Sequence, residues 1–279
     1  LALTIDTAAP EAPVITTTTD LTNDNTPVIQ GTAEAGSIVE LFDGDTSLGT
    51  ATADANGSFS ITSSQLEDGI YGLTVKAKDT AGNENDVSSN TITLTVDTII
   101  PTISIASDKT ELKAGESAVL TFTLSEESTD FVEADITASG GTITGFSGSG
   151  TSYTATFTPD ESSTSDGVIS VSASAFSDAA GNSNDSAGSI TLTVDTLSPE
   201  APVITTIASS TSDTTPTIEG TAEAGTSITL FNGDAEIGTA TADETTGAFT
   251  ITPESALAEG NYNFTVTATD TAGNILSLI

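Results

Sequence analysis

The chain repeats itself at domain length. Leu3-Thr4-Ile5-Asp6-Thr7 returns as Leu94-Thr95-Val96-Asp97-Thr98 and again as Leu192-Thr193-Val194-Asp195-Thr196, with the aspartates 91 and 98 residues apart. A repeat of this size implies tandem copies of one small fold. The units run over residues 1–97, 98–195 and 196–279. Leu1–Ile5 reads as the last strand of a preceding unit, and the third unit stops at Ile279, so its own last strand is expected to be truncated.

The first and third units match closely. Pro10-Glu11-Ala12-Pro13-Val14-Ile15 returns as Pro199-Glu200-Ala201-Pro202-Val203-Ile204. Gly31-Thr32-Ala33-Glu34-Ala35-Gly36 returns as Gly220-Thr221-Ala222-Glu223-Ala224-Gly225, and Asp79-Thr80-Ala81-Gly82-Asn83 as Asp270-Thr271-Ala272-Gly273-Asn274. The middle unit keeps the ends, with Asp178-Ala179-Ala180-Gly181-Asn182, and differs between them, so one fold occurs in two subtypes. The linkers Asp97–Pro101 and Asp195–Pro199 each end in proline, which restricts the chain and stiffens the joint relative to a Gly/Ser tether.

Within units the apolar period is two. Val39 and Leu41 alternate with Ile38 and Glu40. Tyr71, Leu73, Val75 and Ala77 alternate with Gly72, Thr74, Lys76 and Lys78. Ile92, Leu94 and Val96 alternate with threonines, as do Leu120, Phe122 and Leu124. This is the pattern of strands with one buried face. Turn signals such as Asp43-Gly44, Asn56-Gly57 and Asn232-Gly233 separate them. About seven strands per unit make a β-sandwich. Asp68-Gly69-Ile70-Tyr71 and Glu259-Gly260-Asn261-Tyr262 have the form of a tyrosine corner, in which a phenol bonds back to the preceding turn. The expected fold is all-β: immunoglobulin-like sandwiches in a linear array.

Composition narrows the function. Acidic residues number 40 against four lysines, for a net charge of −36, and there is no His, Cys, Met or Trp. Thiol chemistry, disulfides, zinc fingers, haem ligation and His-based catalysis are therefore excluded. Four lysines cannot make the basic patch that nucleic acid or an anionic membrane requires. No apolar run nears the ~20 residues that span a bilayer. Such acidity could mean disorder, but 36% hydrophobic residues and 24 recurring glycines describe a globular β protein with acidic loops. Gly145–Gly150 is glycine-rich, yet no helix follows it and no lysine is near, so it is no phosphate cradle. Acid pairs are plentiful, but they fall in repeated loops without an aromatic-lined cleft, which suits structure better than catalysis.

Taken together, the Asp-Thr-x-x-Pro linkers, the Gly-Thr-Ala-Glu-Ala-Gly loops and the Asp-x-Ala-Gly-Asn loops resemble the bacterial immunoglobulin-like repeats of large secreted adhesins, of the RTX and biofilm-associated types. The resemblance covers nearly the whole chain. It implies a secreted, cell-surface protein whose repeats form a stalk, commonly rigidified by Ca²⁺ at the junctions.

Topology then says which acids meet. If the strands alternate up and down, three loops share one pole of each unit with the incoming linker. Asp6, Glu34, Asp79 and Asn83 gather in the first unit, with Asp54 nearby. Asp97, Glu126, Asp178 and Asn182 gather in the second, and Asp195, Glu223, Asp270 and Asn274 in the third. Carboxylates crowded within ~6 Å repel unless neutralised. A hard cation with flexible oxygen coordination, Ca²⁺, suits them better than Mg²⁺, Zn²⁺ or Cu²⁺. The alternative is local: the aspartates start Asx turns, with Gly82, Gly181 and Gly273 at positive φ, and the asparagines cap them. Asp68, Asp166 and Glu259 belong to the opposite pole as turn residues. Asp20, Asp24, Asp108 and Asp213 lie on that pole too, where they could complete a site with the adjoining repeat.

The expected function is a calcium-stiffened, non-enzymatic extender that holds a distal adhesive module away from the cell for attachment or biofilm formation. At ~3.3 Å per residue, with loops and linker, each unit adds about 40 Å and three make a monomeric rod of about 120 Å. Its partners are calcium ions and neighbouring repeats of the same chain, with no nucleic acid and no membrane insertion. The competing reading is a glycan- or protein-binding module, with the divergent second repeat as the binder.

Overall fold

The computed structural model describes every residue except 1–2, 86, 186–187, 207–209 and 278–279. Apart from one 3₁₀ turn at Glu133–Asp135, the described elements are strands, and they build three immunoglobulin-like β-sandwiches. Part of the expected strand at residues 1–5, residues 1–2, lies outside the described residues, as does Ile279. Leu3, Thr4 and Ile5 form no strand and are exposed.

Repeat 1 contains β1 (Val14–Ile15), β2 (Leu21–Thr22), β3 (Val28–Thr32), β4 (Ile38–Asp43), β5 (Thr46–Thr52), β6 (Ser58–Thr62), β7 (Gly69–Lys78) and β8 (Ile92–Val96). One sheet has the order β1-β3-β6 and the other β2-β8-β7-β4-β5. Repeat 2 has β9 (Ile103–Ser107), β10 (Glu111–Lys113), β11 (Ala118–Ser128), β12 (Ile136–Ser139), β13 (Gly141–Pro159), β14 (Gly167–Val171) and β15 (Gly188–Asp195). Its sheets are β13-β11-β9 and β10-β15-β14-β12. Repeat 3 has β16 (Val203–Ile204), β17 (Ile218–Thr221), β18 (Ser227–Asn232), β19 (Ala235–Thr241), β20 (Ala248–Ile251), β21 (Phe264–Thr269) and β22 (Ile275–Ser277). These form β16-β17-β20 and β19-β18-β21-β22.

Strict up-and-down alternation is broken at the start of repeats 1 and 2. There the first strand of the sandwich is split between the two sheets. β1 pairs antiparallel with β3, whereas β2 crosses over and pairs parallel with β8. β9 and β10 divide in the same way, with β10 parallel to β15. An edge segment shared between sheets protects both edges from foreign strands. It also carries the chain to the far pole, beside the next repeat.

The two-residue periodicity is carried into the fold. In β4, Val39 and Leu41 are fully buried while Ile38 is exposed, and in β7, Leu73, Val75 and Ala77 point inward between exposed lysines. Ile29 and Ile61 of one sheet meet Leu41, Leu73 and Leu94 of the other in the core of repeat 1. Each such side chain contributes roughly 1.5–3 kcal/mol of burial. Both tyrosine corners form: the Tyr71 hydroxyl donates to the Glu67 carbonyl at 2.7 Å and that of Tyr262 to Ala258 at 2.9 Å.

The first glycine of the Gly-Thr-Ala-Glu-Ala-Gly motif has a packing role that its place in the motif did not reveal. Gly31 lies inside β3, and a Cβ there would run into the Val14 carbonyl and the Phe59 ring; Gly220 meets Val203 and Phe249 in the same way. Gly31→Ala is expected to destabilise repeat 1 by about 1–3 kcal/mol through overpacking. Gly72→Ala, where the nearest atom is 3.9 Å away, should stay within ~0.5 kcal/mol of wild type. Denaturant unfolding of the two variants measures the difference.

Candidate metal centre at the interdomain joint

Each Asp-x-Ala-Gly-Asn loop closes on its own aspartate. Asp79 Oδ1 accepts the N–H groups of Gly82 (2.7 Å) and Asn83 (2.9 Å), and Oδ2 accepts Asn83 Nδ2 at 2.7 Å. Asp178 repeats this with Gly181 and Asn182 at 2.7, 2.9 and 2.8 Å. Asp270 receives Asn274 N and Nδ2, each at 2.8 Å. The glycines take φ of +97°, +93° and +88°, a conformation that favours glycine. The Asn83 side chain, followed by the loop amides, holds the Asp79 carboxyl below its ordinary range against a desolvation that pushes it up.

The asparagine reaches beyond the turn. Its Nδ2 also donates to the carbonyl of the linker aspartate: Asn83 to Asp6 at 3.2 Å, Asn182 to Asp97 at 2.9 Å, Asn274 to Asp195 at 3.0 Å. The incoming chain is thus tied to the loop in all three repeats. The side-chain oxygen is engaged in repeat 3, where Asn274 Oδ1 accepts the Ala114 N–H of repeat 2 at 2.8 Å.

The carboxylates do not gather equally. Asp97, Glu126 and Asp178 bring one oxygen each within 4.8 Å of one another, the one such group among the described residues. Asp97 and Glu126 are half-buried and Asp178 is 9% exposed. Asp6, Glu34 and Asp79 form no comparable group, and neither do Asp195, Glu223 and Asp270. Asp6, Glu34 and Glu223 are exposed, and Glu223 instead accepts the Glu200 N–H at 2.9 Å.

Linker length explains the difference. Glu34 stands two residues beyond Thr32, which pairs with Val14; Glu126 stands two beyond Leu124, which pairs with Ile103. The two glutamates are equivalent relative to the first strand. The linker aspartate is not: Asp97 precedes Ile103 by six residues, whereas Asp6 and Asp195 precede Val14 and Val203 by eight. In the longer linker, the Glu200 N–H bonds Glu223 and Glu11 lines one cleft with Glu34, and neither linker aspartate joins a three-carboxylate group among the described residues. The Pro-x-x-Pro insertion that distinguishes the subtypes was the sequence signal for this.

One residue of the joint escaped the sequence reading. Asp68, assigned to a turn at the far pole of repeat 1, accepts the Thr98 N–H and Oγ–H of the linker, both at 2.8 Å. It therefore abuts the next repeat. Asp24, Asp108 and Asp213 stay local, accepting from Thr26, Val119 and Thr215, and Asp54 closes its own turn on Asn56 and Ser58.

A family model described as a bacterial Ig-like domain matches residues 2–98 and 205–278, and a second of the same description matches 97–194. The chain belongs to the bacterial Ig-like domain family. Among solved structures, these Ig-like repeats are similar to the Escherichia coli adhesin FdeC, at 15% identity over 99% of each chain with a TM-score of 0.39. They are also similar to a marsupial T cell receptor, at 10% identity over 96% of this chain and 98% of that one, with a TM-score of 0.41. A family 2 glycosyl hydrolase from Bacteroides cellulosilyticus matches at 16% identity over 66% of this chain and 29% of its own, with a TM-score of 0.24. Likenesses this distant say nothing of function. No curated protein matches this sequence. Among the described residues, no helix is long and apolar enough to cross a membrane.

The chemistry of the Ig-like joint follows from its charges. Burial pushes the Glu126 carboxyl above its ordinary range, and Asp97, Asp178 and Asp68 push it further. A carboxyl that holds its proton more tightly folded than unfolded stabilises the fold below the ordinary glutamate range. That contribution is lost as pH rises through its folded value. In chelator, Glu126→Gln should therefore raise the thermal midpoint of repeat 2 at neutral pH, and the gain should shrink to nothing at pH below the ordinary glutamate range. Calorimetry across a pH series reads both.

Proposed function

We propose that this chain is a stalk segment of a bacterial surface adhesin, and that Ca²⁺ at the joint between repeats 1 and 2 fixes the angle between them. The observation that carries this is the meeting of Asp97, Glu126 and Asp178 at the seam, because one of the three lies on the linker itself.

The donor set fits the ion. All three ligands are carboxylates, the chain has no thiol or imidazole, and oxygens ~2.4 Å from a Ca²⁺ stand at most about 4.8 Å apart. Bound there, Ca²⁺ would supply the positive charge the seam lacks. The protein does the positioning: the Asp178 loop presents a fixed carboxylate, Asn182 holds the linker carbonyl so that Asp97 faces the seam, and β11 delivers Glu126. The role is mechanical rather than catalytic. A net charge of −36 supports a secreted, cell-surface setting, where it keeps neighbouring stalks apart and discourages strand pairing between them.

Calcium should raise the unfolding free energy of repeat 2 by about 2.7 kcal/mol at a hundredfold excess over Kd. Asp97→Asn combined with Glu126→Gln should abolish that gain. Small-angle scattering should show a larger maximum dimension with Ca²⁺ than with chelator. Absence of binding heat at millimolar Ca²⁺ would discard the reading, and identical scattering curves would discard the stiffening.

A further inference from the structure

We infer that the joint between repeats 2 and 3 is closed by a cation of the protein's own, Lys113, and needs no metal. The inference takes the calcium reading of the first joint only as its contrast, and stands on the contacts of the second.

The two joints place equivalent residues at the same point. In repeat 1, β2 runs parallel to β8 with Thr22 beside Val96, so the next residue, Asn23, comes level with Asp97. In repeat 2, β10 runs parallel to β15 with Lys113 beside Asp195. Asn23 and Lys113 are counterparts, and each reaches the glycine of the next repeat's Asp-x-Ala-Gly-Asn loop. Asn23 Nδ2 lies 3.7 Å from where a Cβ on Gly181 would be, and Lys113 Nζ lies 3.0 Å from the same point on Gly273.

The consequences differ in charge. At the first joint the reaching side chain is neutral, and the acids Asp68, Asp97, Glu126 and Asp178 crowd together. At the second, Lys113 lines a cleft of about 230 Å³ together with Glu111, Glu116 and Asp195. Lys113 Nζ donates to the Gly273 carbonyl at 3.5 Å, and the adjacent Ala114 N–H donates to Asn274 Oδ1 at 2.8 Å. Asn274 is 2% exposed and ties Asp195 with its other end. The glutamate that could complete an acidic group, Glu223, is held instead by Glu200. Both joints have direct bonds, but the second adds a lysine at the point where the first has the neutral Asn23.

Because the chain has no cysteine, spin labels at Thr50→Cys, Ser152→Cys and Thr239→Cys, all exposed sites, report each joint in the full chain. Electron–electron resonance distances between Ser152→Cys and Thr239→Cys should have the same narrow distribution in Ca²⁺ and in chelator. Lys113→Asn should widen that distribution, and Lys113→Arg should restore it. Widening of the wild-type distribution in chelator, or a Lys113→Asn distribution as narrow as wild type, would overturn the inference. The Thr50→Cys to Ser152→Cys pair tests the other reading separately: it should widen in chelator, and Asn23→Lys should make it indifferent to Ca²⁺. A first joint that ignores chelator in the wild type counts against calcium stiffening and leaves the second joint to be judged on its own pair.

Discussion

One side-chain amide does most to organise the joints. Asn83, Asn182 and Asn274 each give one Nδ2 hydrogen to the aspartate of their own loop and another to the carbonyl of the linker aspartate. The net worth of such a bond is about 1 kcal/mol. Its larger effect is geometric. It locks the backbone of the residue on which one domain ends and the next begins, and so decides where that residue's carboxylate lies.

Given that tie, the character of each seam depends on what else arrives. In repeat 2 the short linker and the register of β11 bring a glutamate to the locked aspartate. Two unit charges ~4 Å apart cost on the order of 4 kcal/mol at a protein surface, before screening. A third carboxylate, with Asp68 close by, adds to that repulsion, which is the charge the proposed Ca²⁺ would offset. In repeat 3 the same tie operates two linker residues further from the strand, the glutamate caps Glu200 instead, and a lysine from the preceding repeat lines the seam. A common loop therefore serves two electrostatic designs, chosen by linker length and by one edge residue.

This arrangement fits the stalk proposed above. Cores of Ile, Leu, Val and Phe make each sandwich independent of its neighbours. In the proposed stalk, bending would fall on the two short seams between these cores. On the two proposals, the first seam would respond to the surrounding ion and the second would not.

The sequence by itself determined what is local or periodic. Alternation of Val39, Leu41, Leu73 and Val75 with polar neighbours required half-buried strands, the recurring Asp-Thr-x-x-Pro runs marked the joints, and the turn before Tyr71 and Tyr262 announced both tyrosine corners. It also brought Asp97, Glu126 and Asp178 into one candidate set, since strand alternation sends all three to the same pole. Only the tertiary structure decided that the equivalent sets in repeats 1 and 3 stay apart, that Asp68 belongs to a joint rather than to a turn, and that Lys113 stands where repeat 1 has Asn23. The physical reason is scale. Pole and face follow from the alternation of strands, but a carboxylate cluster is a matter of a few ångströms. That distance is set by the register between segments far apart in the chain and by the parallel crossover of an edge strand, neither of which leaves a period in the sequence.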